Sequence, residues 1–131
     1  MILKDILHEK NCSIVASNGY VSFDNGIKPV ISKLNEDLHF FNGLSVADKI
    51  VGKASAMLLT LSGVNEVYAE ILSVSGKEIF EKYGIKYEYG QLVDYIVNRK
   101  GDGMCPMEET VKDINDLHEA YEALNRKIAL H

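Results

Sequence analysis

The sequence predicts an α/β domain, a three-layer α/β/α sandwich built around a mixed sheet. An Asn18-Gly19 dipeptide between two β-prone runs indicates an antiparallel hairpin. Later strands alternate with helical segments, which indicates parallel strands joined by crossover helices. The 131-residue chain contains no repeat or low-complexity linker, so residues 1–131 are expected to form a single domain.

The first third of the chain is predicted to contain a helix, the hairpin and one ambiguous segment. Residues 2–10 place apolar side chains at helical spacing, and these are Ile2, Leu3, Ile6 and Leu7. The hairpin strands lie in CSIVAS and YVSF. The segment GIKPVISKLNED is ambiguous, although Pro29 suits the first turn of a short helix that continues from Val30.

Helical periodicity predicts a helix from Ser45 to Gly63. Ser45 is a typical N-cap residue, and Asp48 lies three positions later, as in a capping box. Gly63 is typical of the position that ends a helix. The apolar positions with helical spacing are Val46, Ile50, Val51, Ala54, Met57, Leu58 and Leu61.

The second half is predicted to alternate strands and helices. VNEVYAEIL alternates like a strand, Ser75 would cap a helix over GKEIFEKY that ends at Gly84, and IKYEY is a further strand. LVDYIVN fits either a strand or a helix.

From Met107 to the end the chain is predicted to be one helix. Its apolar stripe consists of Val111, Ile114, Leu117, Tyr121, Leu124 and Ile128. This stripe fits either packing on the domain's own sheet or a contact between subunits. The sequence is therefore compatible with a homo-oligomer.

The composition of the chain argues against nucleic acid and membrane as partners. The net charge of −5 argues against nucleic acid, which binds basic surfaces. No apolar run is long enough to span a bilayer, and charges interrupt the first ten residues where a signal peptide would be apolar. A cytoplasmic protein without membrane contact is expected, with Cys12 and Cys105 as reduced thiols.

The segments SVADKIVGKASAMLL, VNEVYAEIL and VNRKGDGMCPMEE resemble a prokaryotic family catalogued as a domain of unknown function. The resemblance runs from about Ser13 to Glu109. It implies a cytidine-deaminase-like fold and supplies no activity.

Zinc deaminases follow the pattern H-x-E…P-C-x-x-C. The resemblance would place the two halves of this pattern at Val46–Asp48 and at Ser73–Lys77, and neither segment contains a zinc ligand of the required kind. The four histidines show no paired ligand spacing. No zinc and no other cofactor is expected, and deamination through a zinc-bound hydroxide is excluded.

Candidate site residues lie where strands are followed by helices, since ligands of α/β sheets gather there. Asp48 would either cap its helix or take a catalytic or ligand-binding role. Ser73, Ser75 and Gly76 would either cap the next helix or offer free N–H groups to a phosphate or carboxylate.

The stretch GDGMCPMEE is the other candidate region. Gly101 and Gly103 permit a tight turn, and Pro106 suits a first helical turn. Cys105 would then lie at a helix N-terminus, either as a reactive thiol or as a small apolar residue.

GKAS at Gly52 superficially resembles a phosphate loop. Lys53 is followed by Ala54 instead of Ser or Thr, and the segment is predicted to lie within a helix, so the phosphate-loop interpretation is rejected.

Two functions remain open. The first is binding of a nucleotide or another ribose-containing small molecule, or metal-free catalysis on it. Asp48 and Cys105 would be catalytic, with Ser73, Ser75, Gly76 and Gly103 binding the ligand. The alternative is a regulatory or protein-interaction domain with a vestigial pocket. A polar cleft would favour the first function, and a pocket filled by side chains would favour the second.

Overall fold

The computed structural model describes residues 2–129, which form a mixed five-stranded sheet and six helices. In chain order the elements are α1 (Ile2–Lys10), β1 (Ile14–Ala16), β2 (Val21–Ser22), α2 (Lys28–Glu36), β3 (Ser45–Val51), α3 (Lys53–Ser62), β4 (Glu66–Ser73), α4 (Val74–Lys82), β5 (Lys86–Val93), α5 (Pro106–Val111) and α6 (Leu117–Ala129). None of the helices in this part of the chain is long and apolar enough to cross a membrane.

The strand order in the sheet is β2-β1-β3-β4-β5. Strand β1 is antiparallel to β2 and to β3. Strand β4 lies between β3 and β5 and is parallel to both. The hairpin predicted at Asn18-Gly19 is confirmed, and Gly19 has the positive φ of 95° that such a turn requires. Helices α3 and α4 make the two crossovers, so the predicted α/β class with a mixed sheet is confirmed.

Alternate strand residues face two separate clusters, as the pleat of a strand requires. The larger cluster lies under helices α2 to α6 and includes Ile14, Val46, Val67 and Ala69 from the strands. The smaller cluster lies under α1, where Leu7 packs on Val15, Ala47 and Tyr68. Helix α1 contacts β1 and β3, so the outer face of the β5 side of the sheet carries exposed side chains.

The helix predicted to begin at Ser45 is wrong in its first half. Residues Ser45–Val51 form the central strand β3, and α3 begins at Lys53 after Gly52. A central strand is buried on both faces and therefore shows an apolar run instead of alternation. That run joined the periodicity of α3 and looked like one long helix. Only the end was predicted correctly, at Gly63, whose φ is 89°.

The cap predicted for α4 is also wrong, because Ser73 is the N-cap and its Oγ accepts a hydrogen bond from the Gly76 N–H at 3.0 Å. The ambiguous segment after the hairpin is helix α2, with Pro29 in its first turn. Only the first two residues of LVDYIVN belong to a strand, because β5 ends at Val93, and the rest forms neither a continuous strand nor a helix.

The single C-terminal helix predicted from Met107 is two helices. Helix α5 ends at Val111 and α6 begins at Leu117. The Asp116 carboxylate accepts a hydrogen bond from the Glu119 N–H at 2.9 Å, and this capping contact favours a new helix start over a continuous helix.

Candidate functional site

A polar cleft of about 370 Å³ lies at the carboxyl ends of the three parallel strands. Helices α3 and α4 begin there directly after β3 and β4, and Asp94 follows the end of β5. Three lysines and three acidic residues contribute to its lining, and these are Lys53, Lys82, Lys112, Glu78, Asp94 and Glu108. The cleft therefore occupies the position at which ligands of open α/β sheets bind.

The turn between β3 and α3 holds the carboxylate of Glu108. One oxygen accepts the Lys53 N–H at 2.7 Å, and the other accepts the Ala54 N–H at 2.8 Å. A Cβ atom on Gly52 would lie 2.2 Å from Oε1 of Glu108, so glycine is needed for this close approach. Two of the free N–H groups at the start of α3 are thus satisfied by a side chain of α5.

Glu108 is 7% exposed, and the structure gives it no ion pair in the described residues. Burial raises its pKa above the usual range, while the hydrogen bonds from Ala54 and Lys53 and the charge of Lys53 act in the opposite direction. The Lys53 ammonium also donates to the Lys112 carbonyl at 3.0 Å, a second tie between α3 and the end of α5.

Ser73, Ser75 and Gly76, which the sequence proposed as ligand contacts, lie at the neighbouring start of α4. The Ser73 hydroxyl is fully buried and accepts the Gly76 N–H, so that N–H is already paired. The hydroxyl oxygens of Ser73 and Ser75 are 3.2 Å apart, and Ser75 also lines the cleft. Of these three residues, Ser75 is the one that contributes to the lining.

Asp48 lies in the middle of β3, paired with Ile14 of β1 and with Ala69 of β4. Its side chain is 7% exposed and accepts one long hydrogen bond of 3.3 Å from the Ile50 N–H. Burial raises its pKa to about 7. The predicted position at a helix start is therefore wrong, and Asp48 is not among the residues that line the cleft.

Cys105 is the N-cap of α5, as the sequence predicted, and is half-buried. Its thiol makes no capping hydrogen bond. Met104 and Glu108 on either side line the cleft, whereas Cys105 does not. Gly103 lies outside the lining too, and its carbonyl accepts the Asn98 N–H at 2.8 Å. The structure does not bring Asp48 and Cys105 together in this cleft.

The model of a family described as a domain of unknown function, DUF1893, matches residues 2–128. The chain belongs to the DUF1893 family. No curated protein matches it. The solved structure of the DUF1893 family protein TM1506 from Thermotoga maritima is similar, with a TM-score of 0.86 and 28% sequence identity. The match covers 95% of this chain and 86% of that one, so the similarity extends over nearly the whole fold. The family resemblance seen in the sequence is confirmed at this level.

This DUF1893 domain also carries an apolar cleft of about 350 Å³ beside the polar one. Its walls are formed mainly by aliphatic side chains, namely Ile50, Ile71, Val93, Ile96 and Val97. Asp94 and Tyr95 line both clefts. Ile50 is 49% exposed and Val97 is 53% exposed, which is high for large aliphatic residues gathered in one place.

Sequence reasoning about this DUF1893 domain missed the lining residues Glu108, Lys82, Lys112, Asp94 and Tyr95. One signal was present. Gly52-Lys53 does connect a strand to a helix, as in a phosphate loop, so the prediction that this segment lies within a helix is wrong. The motif is still incomplete, since Ala54 follows the lysine.

Because α3 begins at Lys53, the first half of the zinc motif has to be compared with other residues, but the result is the same. The residues that open α3 are Lys53, Ala54 and Ser55, and none is a His, Cys or Glu. Within residues 2–129, no group of three or more His, Cys, Asp or Glu side chains is placed to hold a metal ion.

Proposed function

We propose that this DUF1893 domain binds a small anionic molecule with sugar hydroxyls, a nucleotide or another ribose-containing phosphate, in the polar cleft. One observation carries the proposal. Three lysines and three carboxylates gather in a single cleft at the carboxyl ends of parallel strands.

The chemistry of the lining suits the two parts of such a ligand. The ammonium groups of Lys53, Lys82 and Lys112 match a phosphate, which they bind as point charges. Carboxylates such as Asp94 and Glu78 accept hydrogen bonds from sugar hydroxyls. Glu108 repels an incoming anion less than a free carboxylate would, because two N–H groups hold it at the start of α3.

Several sequence-based assignments remain predictions within this proposal. Catalysis by Asp48 or Cys105 would need a ligand that reaches beyond the lining of the cleft. Ligand contacts by Ser73, Gly76 and Gly103 would need the same. The cytidine-deaminase-like arrangement that the resemblance implied is supported by the mixed sheet and by the helix starts that border the cleft.

The proposal is tested by native mass spectrometry of the freshly purified protein, followed by calorimetric titration with ribose 5-phosphate and with ribose. We expect the phosphate to bind and ribose to bind much more weakly. Lys82→Gln and Lys112→Gln should each weaken ribose 5-phosphate binding about tenfold, which equals about 1.4 kcal/mol. The matched control is Lys86→Gln on β5, whose side chain is 76% exposed and lies outside the cleft.

Two results would contradict the proposal. One is that ribose 5-phosphate fails to bind at millimolar concentration. The other is that the cleft variants and the Lys86 control bind it equally well.

A second function, a protein-interaction domain, is favoured by a separate observation. Several large apolar side chains are exposed on and after β5, among them Tyr89, Leu92, Tyr95 and Val97. Such clusters mark contact surfaces in many soluble proteins. The open polar cleft weighs against a merely vestigial pocket, because its lining residues leave about 370 Å³ unfilled.

A further inference from the structure

We infer that the apolar cleft is the second half of the same ligand site and holds a flat ring. The ligand is then a nucleotide rather than a sugar phosphate without a base. The inference rests on the proposed function, and it adds a new binding surface formed mainly by Ile50, Ile71 and Val97.

Two residues lie between the two clefts. Asp94 and Tyr95 line both of them, and these residues directly follow the last residue of β5. A ligand that uses both clefts has its phosphate among the lysines and passes over Asp94 and Tyr95 to reach the apolar cleft. In this position the Asp94 carboxylate accepts hydrogen bonds from the ribose, which connects the phosphate to the base.

The side chains of the apolar cleft suit a nucleobase ring. Ile50 and Ile71 come from adjacent positions of β3 and β4, and Val97 completes the wall from the segment after β5. Tyr95, which is 44% exposed, supplies an aromatic face on which a base can stack. Burying these exposed aliphatic groups against a ring gives a favourable free energy that ribose alone cannot provide.

The size of the clefts points to a ligand that uses both. Their volumes are about 350 and 370 Å³. Pockets for ligands of drug size span about 300–1,000 Å³, so each cleft alone lies near the lower limit. The two clefts together lie well inside that range.

The test compares ribose 5-phosphate with the four common nucleoside monophosphates by calorimetric titration of the full chain. We expect at least one monophosphate to bind roughly tenfold more tightly than ribose 5-phosphate, a gain typical of small changes in apolar contact. Ile50→Ser and Val97→Ser should remove that gain and leave ribose 5-phosphate binding unchanged. Leu92→Ser is the matched control, since Leu92 is 38% exposed and lines neither cleft.

The outcomes separate the inference from the proposed function. If ribose 5-phosphate binds and no monophosphate binds more tightly, the ring site is refuted and the phosphate site survives. If neither class binds, both are refuted. If Val97→Ser changes the mass of the particle in solution but not nucleotide affinity, the apolar cleft is a subunit contact and the inference is overturned.

Discussion

At the scale of single residues, Asp48 shows how far a position in the fold changes the chemistry of a side chain. At a helix start its carboxylate would be stabilised by free N–H groups. In the middle of β3, between Ile14 of β1 and Ala69 of β4, it is buried, and burial raises its pKa from 3.8 to about 7. The Val-Ala-Asp segment alone does not distinguish these two environments, because they depend on the residues that surround it in the fold.

Replacing Asp48 with Asn should make the protein more stable at neutral pH. Well below pH 3.8 the carboxyl is protonated in the folded and unfolded chains, so it contributes no pH dependence there. Between that pH and about 7 the unfolded chain loses the proton while the folded chain keeps it, so wild-type stability falls as pH rises. We expect Asp48→Asn to lack this fall and to gain on the order of 4 kcal/mol at pH 8.

Urea denaturation of both proteins across this pH range measures the difference. Asp113→Asn, a change at an exposed position, serves as the control and should leave the pH profile unchanged. Parallel profiles for wild type and Asp48→Asn would show that folding does not shift the pKa of the Asp48 carboxyl.

The two thiols should differ in their reaction with iodoacetamide. Cys12 is fully buried in the cluster under α1, while Cys105 is half-buried at the start of α5. We expect Cys105 to be alkylated first in the native protein, with Cys12 reacting only after unfolding. Mass spectrometry of the wild type and of Cys105→Ser provides the measurement. If Cys105 reacts only after the protein unfolds, its thiol has a packing role and Cys105 is no longer a catalytic candidate.

At the scale of elements, the contact between α5 and the β3–α3 turn is the feature that joins distant parts of the chain. Glu108 and Lys53 are 55 positions apart, yet the Glu108 carboxylate fits over Gly52 because no Cβ stands in its way. The sequence contains the glycine and the glutamate, but nothing in their spacing pairs them. Long-range pairing of this kind depends on tertiary packing and was not predictable.

Gly52→Ala should destabilise the protein through this contact. The new Cβ would lie 2.2 Å from Oε1 of Glu108 and would force the carboxylate off the two N–H groups. We expect a loss of about 1–3 kcal/mol in the free energy of unfolding, the usual cost of leaving buried hydrogen-bonding groups unpaired. Gly103→Ala, with its nearest atom at 3.7 Å, is the control.

A double-mutant cycle with Glu108→Ala identifies the cause. Once Glu108 is already alanine, Gly52→Ala should cost much less, so the two changes should not be additive. Additive losses would mean that the Gly52 backbone, and not the carboxylate, is responsible.

The start of α4 should separate stability from ligand binding. Ser73→Ala removes a buried cap and should lower the free energy of unfolding by about 0.5–2 kcal/mol. Ser75→Ala should cost little stability, because Gly76 bonds to Ser73, but should weaken ribose 5-phosphate binding at the cleft. Urea denaturation measures the stability of both variants, and titration measures their affinity for ribose 5-phosphate. A larger stability loss for Ser75→Ala than for Ser73→Ala would show that Ser75, and not Ser73, caps α4.

The elements that could be predicted are those whose periodicity is unmixed. Helix α1, the hairpin and β4 have clear spacing or turn residues, and each was found where the sequence indicated. Strand β3 was missed because its buried run continues into the apolar face of α3 with only Gly52 between them. Its β-branched Val46, Ile50 and Val51, followed by that glycine, were the signal that favoured a strand.

At the scale of the whole molecule, the class of fold follows from the order of elements, whereas the site depends on which ends of those elements meet. Of the ligand contacts that the sequence predicted, Ser75 lines the polar cleft at the carboxyl ends of the parallel strands. The sequence did not predict that residues after β5 and from α5 would complete that cleft. Asp94 and Lys112 come from segments whose paths depend on the packing of α5 beside α3.

The protein should fold and stay folded without zinc. Neither half of the deaminase metal motif is present at the original or at the corrected helix start. We expect elemental analysis of the purified protein to find far less than one zinc per chain. A chelator should leave the thermal midpoint unchanged, because no metal would contribute to folding. About one bound zinc per chain that disappears in Cys105→Ser would contradict this prediction.

The carboxylate of Glu108 also determines when two backbone amides meet solvent. The N–H groups of Lys53 and Ala54 lie under it, so they cannot exchange with deuterium by simple fraying of α3. They become accessible only when α5 separates from the turn, a partial unfolding of a distant part of the chain. Exchange at the start of one helix is thus governed by the opening of another, and those two amides record how often the C-terminal fifth of the domain detaches.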